Sequence, residues 1–560
     1  PQGLPLKPSS TLYERARGWL NENYAALDDE DQQADRNLPV DTEFPDGPSR
    51  RHIDILIVTS HDLDTVGELR FTPGRVLHTS RLRVQELMAQ APSPSEAVKD
   101  VSGLRRIFCG NAAFVHGGRP AYNYGPPPAL FHSALAKLDY HLSHLDEKWD
   151  ELTIDADFLY DVHRFIDKSL AIYDSEDIRL QELKDIIDSL AGPGGEPHVI
   201  LFEGAKPDIM WYHPCLSMIQ ENINEFGIGG DAFVEAVVSY ARVVGSNAFT
   251  RRRQTLTNHP AVVIGLMGHF IEFGSVVSIG GDVYYGRSYS QKLYLGFHGH
   301  KDVLRLAKAF RAVQLATKSI RDFHTSLATH RPLGVSIEHL FPSPTPLDGT
   351  PLPVLAFKCR LSRTGRRYIH PRNEDEVRSA MYIATLQVPA ASGAVESSSV
   401  GTSVEVAVKF TARYGVAAHE LLAKQGLAPI LYACRPVLGD LYMVVMEFVS
   451  GKTAWNMIES CEQIPHPVWA DVQKAIEALH EKDLVFGDLR LPNIMCVPTE
   501  SGGMRAKLVD FDWAGIHGKD RYPTTMNAQL KDWAPGMDRY EIMLKDHDRQ
   551  MLEKLPFSSA

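Results

Sequence analysis

In VFGDLRLPNIM, residues 485 to 495, Asp488 precedes Asn493 by five positions. A carboxylate and a carboxamide at that offset suit phosphoryl transfer. The first accepts the proton of an attacking hydroxyl, and the second offers an oxygen to magnesium, a hard cation. Alone the pair is weak, because ordinary Asp and Asn frequencies supply it by accident in a long chain. Three further features fall in the order such a site needs. Lys409 ends SVEVAVKF, an alternating β-branched run that predicts a strand, and Glu420 follows in AAHELLAK, which predicts a helix. A strand lysine can neutralise nucleotide phosphates while a helix glutamate orients it. IMCV and AKLVD flank PTESGG, a hairpin pattern that begins directly after Asn493 and ends at Asp510. Asp510 in turn opens DFDWAG, where its carboxylate can hold metal. Arg490 either steadies the transferred phosphate or makes a surface ion pair.

Each part has a plainer reading. A strand-end lysine is often solvated, a helix glutamate often faces water, and Asp510 or Asn493 can serve as a turn or cap residue. The ordered set is what argues for ATP and Mg2+ as cofactors. In it Asp488, Lys409 and Arg490 are catalytic, Lys409 and Glu420 hold nucleotide, and Asn493 and Asp510 hold metal.

The elements that must position these residues follow from the rest of the chain. With 560 residues, the protein exceeds what one core supports. Apolar residues at 44% and charged residues at 23% describe a chain that folds over most of its length. A formal charge of -12 supplies no general basic footprint, so any nucleic-acid contact has to be local. The cysteines at 109, 215, 359, 434, 461 and 496 form no CxxC pair, which suggests neither a zinc knuckle nor a disulfide framework and fits a reducing, intracellular compartment, cytoplasmic or nuclear. No run reaches the roughly 18 uncharged apolar residues that span a bilayer. The first residue, Pro1, leaves open a trimmed leader.

Residues 1–50 hold an acidic, apolar-poor segment, ALDDEDQQADRNLPVDTEFPDGP, expected to be a flexible tail. Residues 51–149 mix a strand-like HIDILIVTS with helical stretches and give no usable motif. From 150 to 330 the order is a helix with Ser175 as cap and Gly192 as stop, HVILFEG, KPDIMWY, IQENINEFGIGG, a helical DAFVEAVVSYARVV, a β-rich VVIGLMGHFIEFGSVVSI and a long amphipathic helix. That order predicts a mixed sheet flanked by helices. Residues 331–353, centred on SPTPLDGTPLP, read as a Pro-rich interdomain linker, and residues 354–560 as a further domain interrupted by a mobile Ala/Ser/Gly loop at 389 to 403.

VAVKF, AAHELLAKQGLAP, DLYMVVMEFVSG, LVFGDLRLPNIM, KLVDFDWAG and RYPTTMN together resemble the kinase-like domain of the fungal-type protein kinase and Crinkler families, over about residues 354–560. The resemblance implies a two-lobed protein-kinase-like domain with Lys409 and Glu420 as the phosphate-lysine pair, Asp488 as base, and Asn493 and Asp510 as metal ligands. The chain departs from protein kinases in lacking GxGxxG. Phe486 and Gly487 stand in place of the His and Arg of HRD, DFD stands in place of DFG, and a short stretch without APE follows Asp510. FGD also resembles the HGD of aminoglycoside and choline phosphotransferases.

The middle block resembles the restriction-endonuclease-like domain that precedes the kinase domain in Crinkler-type proteins, through KPD, NEFGIGGDAFVEAVVSY and YLGFH. That resemblance puts Asp208 and Glu221 at metal-ligand positions of a PD-(D/E)xK site. Ile223 stands where the lysine belongs and Glu235 where a Gln is expected, so the domain reads as degenerate. Arg251 to Arg253 in AFTRRRQTL could meet a nucleic-acid backbone or form a solvated loop.

The expected fold is therefore multidomain α/β and α+β, and the expected function is ATP- and magnesium-dependent phosphotransfer to Ser/Thr of a protein substrate. The alternatives are a Crinkler-like effector or toxin nuclease with a regulatory kinase-like domain, and a catalytically silent ATP-binding pseudokinase.

Overall fold

The computed structural model describes residues 72–556, apart from 111–112, 148, 193–205, 213–214, 226–229, 247–256, 298, 330–335, 388–402 and 527–532. The N-terminal tail, HIDILIVTS, HVILFEG, Arg251 to Arg253 and nearly all of the loop expected at 389 to 403 lie outside the described residues. Pro1–Val76 and Leu77–Ala560 form separate units, and only residues 72–76 of the first are described.

The chain is mixed α/β with several sheets. Helices α1 (Pro73–Gln90), α2 (Pro94–Lys99) and α3 (Val101–Phe108) precede the two-residue strand β1 (Val115–His116) and helices α4 (Ser133–Ser143), α5 (Ala156–Leu170) and α6 (Glu176–Ala191). Strands β2 (Ile209–Tyr212) and β3 (Leu216–Ile223), helix α7 (Ala232–Gly245), strands β4 (Ala261–Met267), β5 (Phe270–Ile279) and β6 (Asp282–Lys292), and helix α8 (Gly299–Thr329) complete this part. Its sheet runs β1-β6-β5-β4-β3-β2, with β3 parallel to β4 and β1 parallel to β6. The expected mixed sheet is present. Ser175 caps α6 by accepting the Ile178 N–H, and Leu183, Ile186, Ile187 and Leu190 form its buried stripe, while Ile178 is exposed.

Helix α7 crosses between the parallel strands β3 and β4 and is mostly apolar because most of its surface is covered, with Glu235 and Arg242 only part-buried. It lies so close to β4 that a Cβ on Gly265 would sit 2.7 Å from the Phe233 amide nitrogen, so only glycine admits the helix there. Its outer surface packs on Leu87, Ala97, Val98 and Ile107 of α1 to α3. The region expected to stand apart as 51–149 therefore, over its described residues from Leu77 on, shares a core and a sheet edge with the next block. On the other sheet face Phe310 of α8 meets Phe165 and Phe273 edge-on, at 5.1 and 5.0 Å between ring centres.

The Pro-rich stretch is anchored rather than free over 336–353. Leu340 and Phe341 are buried, Ser343 N donates to Leu130 O, and Leu438 N donates to Thr345 O. Prolines already restrict this segment, so holding it costs little additional entropy.

A second sheet comes next, from β7 (Leu355–Leu361), β8 (Arg367–Tyr368), helix α9 (Glu374–Arg378), β9 (Met381–Gln387), β10 (Ser403–Thr411), helix α10 (Val416–Lys424), β11 (Leu431–Val437) and β12 (Leu441–Glu447). Its order is β11-β12-β10-β9-β7-β8, antiparallel throughout. Arg360 on β7 is buried against the first sheet, donating to Tyr284 Oη and to the carbonyls of Glu376, Val377 and Ser379.

Beyond it come β13 (Lys452–Thr453), α11 (Ala454–Glu459), α12 (His466–Glu481), β14 (Leu484–Val485), β15 (Ile494–Pro498), β16 (Met504–Leu508), β17 (Gly515–Ile516) and α13 (Lys545–Glu553). In α12, Val468, Asp471, Val472, Ala475, Ile476 and Leu479 form a buried stripe at helical spacing. Asp471 belongs there because it is satisfied: it accepts from Arg505 and from the Ala506 amide, fastening the β15–β16 hairpin to the helix. Among the described residues, no helix is long and apolar enough to cross a membrane.

Candidate active site

Two pairings bring the opening residues together. Strand β15 pairs with β16, Ile494 opposite Leu508, and Val509 N donates to Asn493 O, which sets Asn493 beside Asp510. Strand β14 pairs with β17, Val485 opposite Gly515, which sets the loop 486–493 against DFDWAG. The hairpin read from IMCV and AKLVD is thus the element that closes the site.

Asp488 is buried, 5% exposed. Its carboxylate receives two bonds from Arg490, one of them Nη2 at 2.7 Å, and one from Asn493 Nδ2 at 2.8 Å. Arg490 in turn lies over the Trp533 ring, 5.0 Å from its centre. Burial raises the Asp488 pKa, against the pull of Arg490, which favours a group able to accept a proton. Asn493 spends Nδ2 on the Asp488 carbonyl and carboxylate, so its described hydrogen bonds leave Oδ1 available for a cation.

Lys409 reaches Asp510 from β10, which runs two residues past it to Thr411. Its ammonium is 2.7 Å from Asp510 Oδ1 and 2.7 Å from Asp512 Oδ2. Burial works against the cation, but the two carboxylates outweigh it and raise its pKa. Asp510 is the anion of the pair. Its surroundings oppose charge, yet Lys409 holds its pKa down, and its side chain keeps 41% of its surface open. Asp512 is pushed up to about 6, chiefly by burial and also by repulsion from Asp510, although Lys409 and Thr411 oppose the rise. Asp510 adopts left-handed backbone, φ 67°, ψ 71°, a conformation costly for a non-glycine residue and one that clusters at functional sites.

Glu420 does not orient the lysine here. The inward stripe of α10 is Ala418, His419 and Leu422, which turns Glu420 to the exposed side. Asp512 takes that position, a residue that DFD had marked only as a departure. His419 occupies the core instead. Its ring stacks on Phe511 at 4.5 Å and 4° between planes, with Phe486 edge-on to Phe511 at 5.4 Å. Nε2 donates to Pro429 O and Nδ1 accepts from Tyr414 Oη, and burial lowers the pKa to about 4, so the ring is neutral.

The loop bearing Asp488 is held from behind by Asp548, fully buried on α13. Its carboxylate accepts the amides of Phe486 at 2.7 Å and Gly487 at 2.9 Å, and contacts His480 Nε2 at 3.2 Å. Gly487 has φ 79°, which explains glycine at that position. The short stretch after Asp510 therefore supplies a buttress that no motif announced.

The other predicted pair also converges. Asp208 stands immediately before β2, and Ile209 pairs with Gln220, so Asp208 lies opposite Glu221. Asp208 N donates to Glu221 Oε2 at 3.2 Å, Asp208 Oδ2 accepts Asn222 N, and Ser239 Oγ donates to Glu221 Oε1 at 2.6 Å. Burial raises Asp208 and, more strongly, Glu221, and takes Glu235 to about 7. Ile223 is buried with Ala232 and Met267, far from any polar duty. Among the described residues, no group of three or more His, Cys, Asp or Glu side chains is arranged to hold a metal ion. Asn222 donates to Asp208 and Ser239 donates to Glu221, so both carboxyls have partners within the protein.

No family model matches the chain. Among solved structures, it is similar to the kinase PK-1 of Cydia pomonella granulovirus, at 13% identity over 30% of this chain and 61% of that one, with a TM-score of 0.24. It is also similar to the Rad53 kinase domain and SCD2 in complex with AMPPNP, at 18% identity over 24% of this chain and 48% of that one, with a TM-score of 0.18. The chain spans less than two thirds of either length.

Proposed function

We propose that residues 354–560 form a two-lobed, protein-kinase-like domain that binds ATP with Mg2+ and transfers its terminal phosphoryl group to a hydroxyl, with Ser/Thr of a protein as acceptor. The observation that carries this reading is the convergence of Lys409, Asp488 and Asn493, from a sheet and a loop, around Asp510 at the end of a hairpin.

The donors suit the cation. Asp510, the Oδ1 of Asn493 and the buried, unpartnered Oδ1 of Asp512 are all hard oxygens. Mg2+ takes its remaining oxygens from phosphates and water, so it needs only a few protein oxygens. Bound Mg2+ would neutralise charge that develops on the phosphates. Lys409 supplies a fixed positive charge for the same purpose, and Asp510 and Asp512 hold it in place. Asp488 takes the acceptor's proton, and Arg490, which pairs with Asp488 in this structure, steadies the transferred group. The acceptor's chemistry is not carried by these residues, so Ser/Thr rests on the resemblance to the fungal-type kinases.

A second reading is favoured by one feature. Both oxygens of Asp488 are already engaged by Arg490 and Asn493, as in a site that binds nucleotide without turnover. Calorimetry with Mg2+ and a non-hydrolysable ATP analogue, followed by a labelled-phosphate transfer assay, separates the two. Binding with transfer supports the enzyme, binding without transfer supports the silent module, and no binding removes both. The nuclease reading lacks a water-orienting lysine, because Ile223 stands at that position and is buried among apolar side chains.

A further inference from the structure

Of the four arginines in RLSRTGRR, residues 360–367, three are fixed within the protein. Arg360 donates to Tyr284 Oη and three carbonyls, Arg366 Nε donates to Glu376 at 2.7 Å, and Arg367 donates to Glu405 at 2.8 Å. Arg363 is exposed, and among the described residues no hydrogen bond or salt bridge engages its side chain. It sits at the tip of the β7–β8 hairpin, just past the pair Leu361 and Arg367. The tip has its own bonds: Ser362 N donates to Arg366 O at 2.9 Å, and Ser362 Oγ accepts Arg366 N at 2.9 Å.

The sheet sets this tip beside the candidate active site. Tyr382 of β9 pairs with Arg360 on one side and Val408 on the other, so β7 and β10 run level. The turn that carries Arg363 therefore leaves the sheet at the end where Lys409 and Thr411 stand, and Thr411 donates to Asp512 at 2.9 Å. At Asp510, burial opposes the negative charge, Lys409 sustains it, and the Arg363 charge adds to that pull. Lys409 is one ammonium between two carboxylates, and Arg490 is engaged by Asp488, so the groups around Asp510 leave little positive charge for an incoming triphosphate.

Given a nucleotide bound at Lys409 and Asp510 as proposed above, we infer that Arg363 clamps its terminal phosphates from this hairpin tip. Protein kinases cover the phosphates with a glycine-rich loop, which this chain lacks. A planar guanidinium matches two phosphate oxygens at once and is always charged. Arg363 breaks no internal ion pair on meeting them.

The test is calorimetric titration of the full chain with AMP-PNP and Mg2+, with AMP measured by displacement of AMP-PNP. Arg363→Gln should weaken AMP-PNP at least about tenfold and AMP less than about twofold, because AMP has no terminal phosphates. Arg363→Lys, which keeps the charge and loses the fork, should fall between. Lys358→Gln removes another exposed cation from β7, one paired with Glu405, and should leave both affinities within about twofold. Unchanged AMP-PNP affinity in Arg363→Gln, an equal loss for AMP, or an equal loss in Lys358→Gln overturns the clamp and leaves the nucleotide site standing. No binding of AMP-PNP by the wild type overturns both.

Discussion

Lys409 Nζ stands 2.7 Å from both Asp510 Oδ1 and Asp512 Oδ2, and the helix glutamate expected to share it, Glu420, faces solvent. The lysine is therefore positioned by the second acid of DFD. Asp512→Asn should lower kcat/KM for ATP by about 10- to 100-fold, whereas Glu420→Gln should leave it within about twofold. Steady-state kinetics on the two variants decide the matter, and the opposite ranking would return the role to the helix.

Asp548 satisfies two buried amides behind the loop that carries Asp488. Its replacement by Ala strands both donors, so a loss of about 2–5 kcal/mol in unfolding free energy is expected. Denaturant titration measures it. Asp548→Asn keeps one acceptor and should fall between; a variant as stable as wild type would remove Asp548 from its structural role.

At Gly487, a Cβ would come 2.5 Å from Met543 Cε and 3.1 Å from the Trp513 carbonyl, at φ 79°. Gly487→Ala should cost about 1–3 kcal/mol and displace Asp488. Thermal unfolding and phosphotransfer measured together should fall in step.

Glu235, near Asp208 and Glu176, has a folded pKa of about 7, well above its ordinary 4.5, with burial as the chief cause. The folded chain then binds more protons than the unfolded chain between those values, so this group's contribution is fully present below about pH 4.5 and is lost as pH rises toward 7. Glu235→Gln should make the slope shallower, since Asp208 and Glu221 are also raised, and stabilise the protein by about 1–2 kcal/mol at pH 8, where the wild type must keep a buried charge. Melting curves of both proteins from pH 5 to 8 provide the check. Curves that stay parallel across that range would contradict the shift.

What the sequence disclosed reflects where the information lies. Asp488, Asn493 and Asp510 can be read together because the hairpin between Asn493 and Asp510 is local, and local pairing follows from alternation and a turn. The same holds for Asp208 and Glu221 across β2 and β3. Lys409, by contrast, meets Asp510 across 101 residues and is marked only by its place at the end of a β-branched run. The phase of α10 was not legible, because a histidine in the core and a glutamate outside, one residue apart, differ by only 100° about a helix whose apolar pattern tolerates either. Asp548 has no local signature at all. Its partners are the amides of Phe486 and Gly487, 62 and 61 residues away, and a buried carboxylate is recognised only by what it satisfies. The union of α1 to α3 with the sheet was hidden for a similar reason, since β1 offers two residues and the contact is made by α7.

The central claim is that Asp488 serves as the base of a magnesium-dependent phosphotransferase. Transfer of labelled phosphate from ATP to Ser/Thr peptide substrates, in wild type and in Asp488→Asn with magnesium present and removed, tests it most directly. Transfer by the wild type that requires magnesium and falls about 10²- to 10⁴-fold in Asp488→Asn is the predicted result. Transfer that persists undiminished in Asp488→Asn, or a wild type that binds nucleotide and never transfers, would contradict it.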